Sequence, residues 1–219
     1  MLVRRFIELL TPTDCLGCGA DGVVLCTTCS NSFGLRQANI CYACRLPSSD
    51  WLTCKRCRLD TPLTGVAVGA YYDGPVQEMI LKLKFHRLRA AAEPAAQLIL
   101  DSLPSWPIDT VTAVPVSPAR RRERGYNQAE LIARQVAAAL ELPFAPLLAR
   151  SGTSHQLGLD RRSRLELVQG AFYAVGTYPG RRVLIVDDVI TTGATLTECA
   201  EVLTRVGAAE VWGAAVARH

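Results

Sequence analysis

Two adjacent carboxylates stand in the stretch VLIVDDVITTGATL, residues 183–196. An apolar run delivers Asp187 and Asp188, and Thr191, Thr192, Gly193, Ala194 and Thr195 follow almost at once. Paired carboxylates accept hydrogen bonds from vicinal hydroxyls, which is what a ribose ring presents. Backbone N–H groups of a loop that enters a helix form a natural anion site. Gly193 lets the backbone approach a phosphate closely. A sugar phosphate answers all of these features together. A plain capped strand–turn–helix explains one threonine and one aspartate, and leaves the second acid and the other threonines without a reason.

The second constellation is made of cysteines. Cys15/Cys18, Cys26/Cys29, Cys41/Cys44 and Cys54/Cys57 form four Cys-x-x-Cys pairs, and the ninth cysteine, Cys199, stands alone. Each pair can hold one side of a tetrahedral Zn²⁺, so eight thiolates suit two structural Cys₄ zinc sites. Sequential sites (Cys15, Cys18, Cys26, Cys29; Cys41, Cys44, Cys54, Cys57) are favoured, with interleaved pairing as the alternative. The segment offers no open ligand position and no catalytic base, so the metal would supply fold that a small core cannot. Cys199 falls in an apparent helix and reads as a core residue.

The elements that must position these groups follow from periodicity. Residues 65–72, 110–115, 170–175, 183–186 and 210–217 read as strands. Helices are expected from Pro75, over 90–103, over 128–140 and over 195–206, with an arginine-rich loop after residue 115. Strand–helix alternation with near-continuous apolar strands implies an α/β fold: a parallel sheet flanked by helices. The composition changes near Asp60, which divides the chain into a cysteine module, residues 1–60, and an α/β domain, residues 61–219.

The chain has 219 residues with a net charge of +4 and 49% hydrophobic residues. That excludes a disordered chain and permits an anionic ligand without requiring nucleic acid. No apolar run approaches the ~18–20 residues of a membrane span, so no membrane insertion is expected. Residues 1–10 read as a short amphipathic helix rather than a signal peptide, and the expected location is cytoplasmic.

The stretch 183–196 resembles the phosphoribosyl diphosphate motif of the type I phosphoribosyltransferases. The resemblance widens: four cysteine pairs, YYDGPVQEMILKLKFHR (71–87), VPVSPARRRERGYNQAELIA (114–133), GAF (170–172) and the phosphate loop appear in the order seen in the ComF family of competence-associated proteins. Where that family carries an asparagine shortly before GAF, this chain has Leu167. The resemblance implies a type I phosphoribosyltransferase fold with an N-terminal double zinc ribbon. It implies ribose contacts from Asp187 and Asp188, and 5-phosphate contacts from Thr191, Thr192, Gly193, Ala194 and Thr195. It also implies phosphoribosyl diphosphate bound with Mg²⁺ and an unknown acceptor base selected by a hood, expected over residues 66–103. In the type I fold the diphosphate lies at the first strand-to-helix loop, which makes Arg120, Arg121, Arg122 and Arg124 its candidate ligands, since guanidinium forks pair with phosphate oxygens. Gln156, Arg161, Arg162 and Arg164 correspond in position to the mobile loop.

A rival reading uses the same fold as a scaffold for single-stranded DNA, beside DNA-uptake proteins, with Tyr126 and His155 as stacking partners for bases. A third makes the site a nucleotide sensor that binds without reacting.

Overall fold

The computed structural model describes residues 14–33, 40–151 and 171–219. The amphipathic segment expected near the start, His155, Leu167 and the mobile-loop candidates Gln156, Arg161, Arg162 and Arg164 lie outside the described residues.

In chain order the elements are α1 (Thr27–Phe33), β1 (Leu63–Tyr71), α2 (Gly74–Phe85), α3 (Ala92–Ser102), β2 (Thr110–Ala113), α4 (Pro118–Arg124), α5 (Gln128–Ala139), β3 (Leu148–Arg150), β4 (Phe172–Ala174), β5 (Arg182–Ile190), α6 (Ala194–Arg205) and β6 (Glu210–Arg218). Four strands form one sheet in the order β1-β6-β5-β2, and every pairing in it is parallel. Its central strands are apolar on both faces because helices cover both. Along β5 the side chains alternate: Leu184 and Val186 enter a core with α2, α3 and α5, whereas Val183 and Ile185 enter a second core with α6. Cys199 of α6 is fully buried in that second core, as its apolar setting in the sequence implied.

The cysteine segment reaches both cores. Cys15, Val24, Leu25 and Cys29 are continuous with the first, and Tyr42 and Trp51 with the second. A short segment that cannot close a core of its own thus packs on either side of the sheet.

Three expectations need correction. The arginine-rich segment is a helix, α4, not a loop. The Ser117 hydroxyl caps it by accepting from the Arg120 N–H at 3.3 Å, Pro118 opens it, and Gly125 ends it with φ of 81°, a conformation glycine adopts without a Cβ penalty. The strand near residue 172 is confined to Phe172–Ala174 and pairs antiparallel with Leu148–Arg150, a partner the apolar pattern did not reveal. Residues 66–103 are not a hood: β1 is a buried edge of the main sheet, paired with β6, and α3 packs on it.

That packing is close. A Cβ on Gly69 of β1 would stand 2.7 Å from the backbone carbonyl carbon and oxygen of Leu98 in α3. Backbone cannot give way as a flexible side chain can. Gly69→Ala should therefore lower stability by about 1–3 kcal/mol, read from chemical denaturation. An unchanged midpoint would mean that α3 does not sit this near β1.

Candidate functional site

The site lies at the carboxyl ends of β5 and β6, where open parallel sheets leave room for ligands. β2 pairs with β5 only as far as Ala113 opposite Val186. One further backbone bond, from the Val114 N–H to the Val186 carbonyl at 2.9 Å, closes that side. β5 continues alone on this flank through Asp187 and Asp188.

The pleat sends the two acids to opposite faces. Asp188 follows Leu184 and Val186 toward the first core and is buried. Both of its oxygens are engaged: Lys84 of α2 approaches Oδ1 at 2.6 Å, and the Gln128 amide of α5 donates to Oδ2 at 2.7 Å. Gln128 in turn accepts from Arg124 Nη1 at 2.8 Å. A lysine and a glutamine from two helices thus meet one carboxylate, and an arginine from a third braces the glutamine. Asp187 follows Val183 and Ile185 toward the second core, is half-buried, and accepts the Asp188 N–H at 2.8 Å. Burial pushes its carboxyl up, and the Asp188 charge beside it adds to the rise, while Lys84 and Arg150 pull the other way. Among the described residues no side chain is hydrogen-bonded to Asp187, whereas two meet Asp188.

The loop follows. Thr191, Thr192, Ala194 and Thr195 are exposed, and Gly193 is buried with φ of 84° as the N-cap of α6. The Thr192 hydroxyl accepts from the Ala194 N–H at 3.3 Å. The opening N–H groups of a helix have no partner within it, so this turn presents donors beside exposed hydroxyls. All five loop residues and both acids lie in one continuous strand–turn–helix unit, as the sequence suggested.

The arginines divide. Arg120, Arg121 and Arg122 are exposed on α4, and Arg121 stands 3.5 Å from Glu130. Arg124 is buried and lies over the Phe85 ring at 5.1 Å. Tyr126 is not free to stack on a base: it is buried, its hydroxyl donates to the Leu83 carbonyl, and Arg89 lies over its ring at 4.9 Å. The apolar α2 surface it closes outcompetes exposure.

Lys84, Gln128, Arg150 and Tyr42 were not singled out from sequence. Lys84 and Gln128 sit in the quoted stretches KLKFHR and GYNQAEL, but only the fold brings them to Asp188. The Tyr42 ring lies against Gly193, and nothing in a Cys-Tyr-Ala-Cys run foretells that.

The cysteines form two groups, Cys15/Cys18/Cys26/Cys29 and Cys41/Cys44/Cys54/Cys57, each with its sulfurs within 4.8 Å of one another. The sequential arrangement is the one realised. Backbone N–H groups point at sulfur, from Cys26 to Cys15 Sγ at 3.3 Å and from Cys54 to Cys41 Sγ at 3.5 Å. Burial and then the neighbouring thiols push Cys29 up to about 12. The Cys54 thiol and then burial do the same for Cys57, also to about 12. One thiol in each group moves the other way: burial raises Cys15 and Cys41, but backbone N–H groups facing their sulfurs outweigh it and lower both to about 6. The donor set fits a tetrahedral zinc ion, and either group could hold one.

Comparisons with known proteins agree with this architecture. The phosphoribosyl transferase domain family matches residues 127–219. The DNA utilization protein YhgH of Escherichia coli K12 is 31% identical over 205 residues, covering 86% of this chain and 88% of that protein. Competence protein F of Haemophilus influenzae is 26% identical, covering 87% and 96%. Among solved structures, the glutamine phosphoribosylpyrophosphate amidotransferase of B. subtilis aligns with a TM-score of 0.43 at 23% identity, over 58% of this chain and 27% of that one. The chain belongs to the ComF family, with a type I phosphoribosyltransferase fold and two N-terminal four-cysteine clusters of zinc-ribbon kind.

Proposed function

We propose that this protein is a phosphoribosyltransferase that binds phosphoribosyl diphosphate with Mg²⁺ at residues 187–195. The observation that carries this reading is the continuous unit of Asp187, Asp188, the exposed threonines and left-handed Gly193 at the end of a buried parallel strand. In the reaction the bond from the sugar C1 to the diphosphate breaks and one from C1 to an acceptor base forms. The diphosphate leaves with the electron pair. Thr191, Thr192, Gly193, Ala194 and Thr195 hold the 5-phosphate through N–H groups and hydroxyls. Asp187 takes the ribose hydroxyls. Asp188 supports it as a carboxylate already fixed by Lys84 and Gln128. The exposed Arg120, Arg121 and Arg122 receive the diphosphate, whereas Arg124 acts through Gln128. Bound Mg²⁺ would neutralise charge on the leaving diphosphate, and Asp187 would be a carboxylate able to help hold it. The acceptor is unassigned.

In the same reading, residues 1–60 act as a structural zinc module in a reducing cytoplasm, which keeps thiols available for metal. Among the described residues no helix is long and apolar enough to cross a membrane.

A second reading, single-stranded DNA binding, is favoured by one observation. Phe85 is 60% exposed at the end of α2. Exposed His86, Arg87 and Arg89 lie beside it and Arg124 lies over its ring. An exposed ring amid cations is a platform for an unpaired base. The names of two relatives, a DNA utilization protein and a competence protein, point the same way.

Isothermal titration of the protein with phosphoribosyl diphosphate and Mg²⁺ should give saturable binding, lost in Asp187→Asn/Asp188→Asn. No binding to folded, zinc-loaded protein would remove the transferase reading. Metal analysis should find close to two zinc per chain, one for each cysteine group; a single zinc would disqualify one of them. For the second reading, Phe85→Ala should weaken a fluorescent single-stranded oligonucleotide by about 1–3 kcal/mol. Equal anisotropy titrations for the two proteins would count against that surface.

A further inference from the structure

We propose that Tyr42 is a positioning residue for the 5-phosphate loop, held in place by the second four-cysteine centre. The inference rests on the phosphoribosyl reading and assigns part of the cysteine module to that same site.

Tyr42 follows Cys41 directly and is 4% exposed. Its ring fills the space where a Cβ at residue 193 would be: the two would stand 2.5 Å apart. The ring therefore backs the one loop residue whose left-handed conformation lets the chain turn from β5 into α6. Its hydroxyl donates to Thr61 Oγ1 at 2.9 Å and lies 3.1 Å from Thr197 Oγ1. Thr197 belongs to the first turn of α6, and its N–H donates to the Gly193 carbonyl at 2.9 Å. The tyrosine thus grips the loop at Gly193 and the helix start at Thr197.

The backbone of Tyr42 is fixed as well. Its carbonyl accepts from Arg218 Nη2 at 2.8 Å. Arg218 ends β6 opposite Ile190, the last residue of β5 before the loop. It is 3% exposed, and its Nε and Nη1 have no partner among the described residues. A buried guanidinium with two of its three nitrogens unpartnered is costly unless an opposite charge stands near. Four thiolates around one divalent zinc carry a net double negative charge, and Cys41 is the residue next to Tyr42. Charge compensation between Arg218 and the loaded centre would fix the Tyr42 backbone from both sides. Among the described residues the first centre has no such bond to the loop at Gly193. Its Cys15 and Val24 line a cleft against Glu78, Leu81, Lys82 and His86 of the α2 segment, on the other core.

The test uses the full chain loaded with zinc, titrated separately with ribose 5-phosphate and with Mg²⁺-diphosphate. Tyr42→Phe keeps the ring and loses the hydroxyl; ribose 5-phosphate affinity should fall about three- to tenfold. Tyr42→Ala empties the space behind Gly193 and should weaken it at least about tenfold. Both should keep two zinc per chain and leave diphosphate affinity within about twofold, a pattern that general loss of stability would not produce. Cys57→Ser and Cys18→Ser should each release one zinc, but only Cys57→Ser should weaken ribose 5-phosphate. Wild-type affinity in both tyrosine variants, or equal effects on the two ligands, would overturn the proposal even if Cys57→Ser does not fold. Wild-type protein that binds neither ligand would sink the phosphoribosyl reading itself and this inference with it.

Discussion

Consecutive residues on a strand must point to opposite faces, and Asp187 and Asp188 are consecutive residues on β5. The rest of the candidate site is organised by that constraint. Asp188, turned toward the α2–α5 core, cannot be left alone in an apolar setting, and Lys84 and Gln128 meet its two oxygens. Asp187, turned toward the α6 core, meets no such pair and keeps a raised affinity for protons. The pair is chemically unequal although its residues are identical. One carboxylate is tied to two helices by its side-chain partners, and the other has none among the described residues.

The cysteine segment obeys the same two-sidedness. A segment this short cannot close a core alone. Here its two sulfur clusters sit on different faces of one sheet, each continuing an existing core. The first leans on α2, the helix that supplies Lys84, and Tyr42 beside the second leans on α6, the helix that follows the turn at Gly193. The sheet's two faces, and hence the two aspartates, each have a four-cysteine cluster behind them.

Much of this was legible in sequence because it is local. The loop 187–195 and the Cys-x-x-Cys pairs are built within a turn or two of chain, so residue type and spacing report their geometry directly. The parallel sheet was legible because buried strands such as residues 183–186 are apolar on both faces. What was not legible depends on distance. Gln128 looked like one more polar residue at the start of α5, and Lys84 like one more solvated lysine, until the fold placed both at Asp188. Tyr126 looked available because it follows a run of arginines; its hydroxyl bond to Leu83 is a contact no local pattern encodes. Helix α4 was hidden by its charge, since four arginines suggested a loop although Ser117, Pro118 and Gly125 already spelled its two ends.

The bond between the Tyr42 carbonyl and Arg218 joins residues 176 positions apart, and the Tyr42–Thr197 contact spans 155. Ribosomal synthesis proceeds from the cysteines toward β6. The sulfur clusters therefore emerge well before the strand on which the second one docks, and contacts of such long range close late. Until β6 has emerged, the nascent chain holds its thiols without the strand that carries Arg218. Metal captured early would shield those thiols from oxidation, and the seat for Tyr42 would be completed only once β6 has formed.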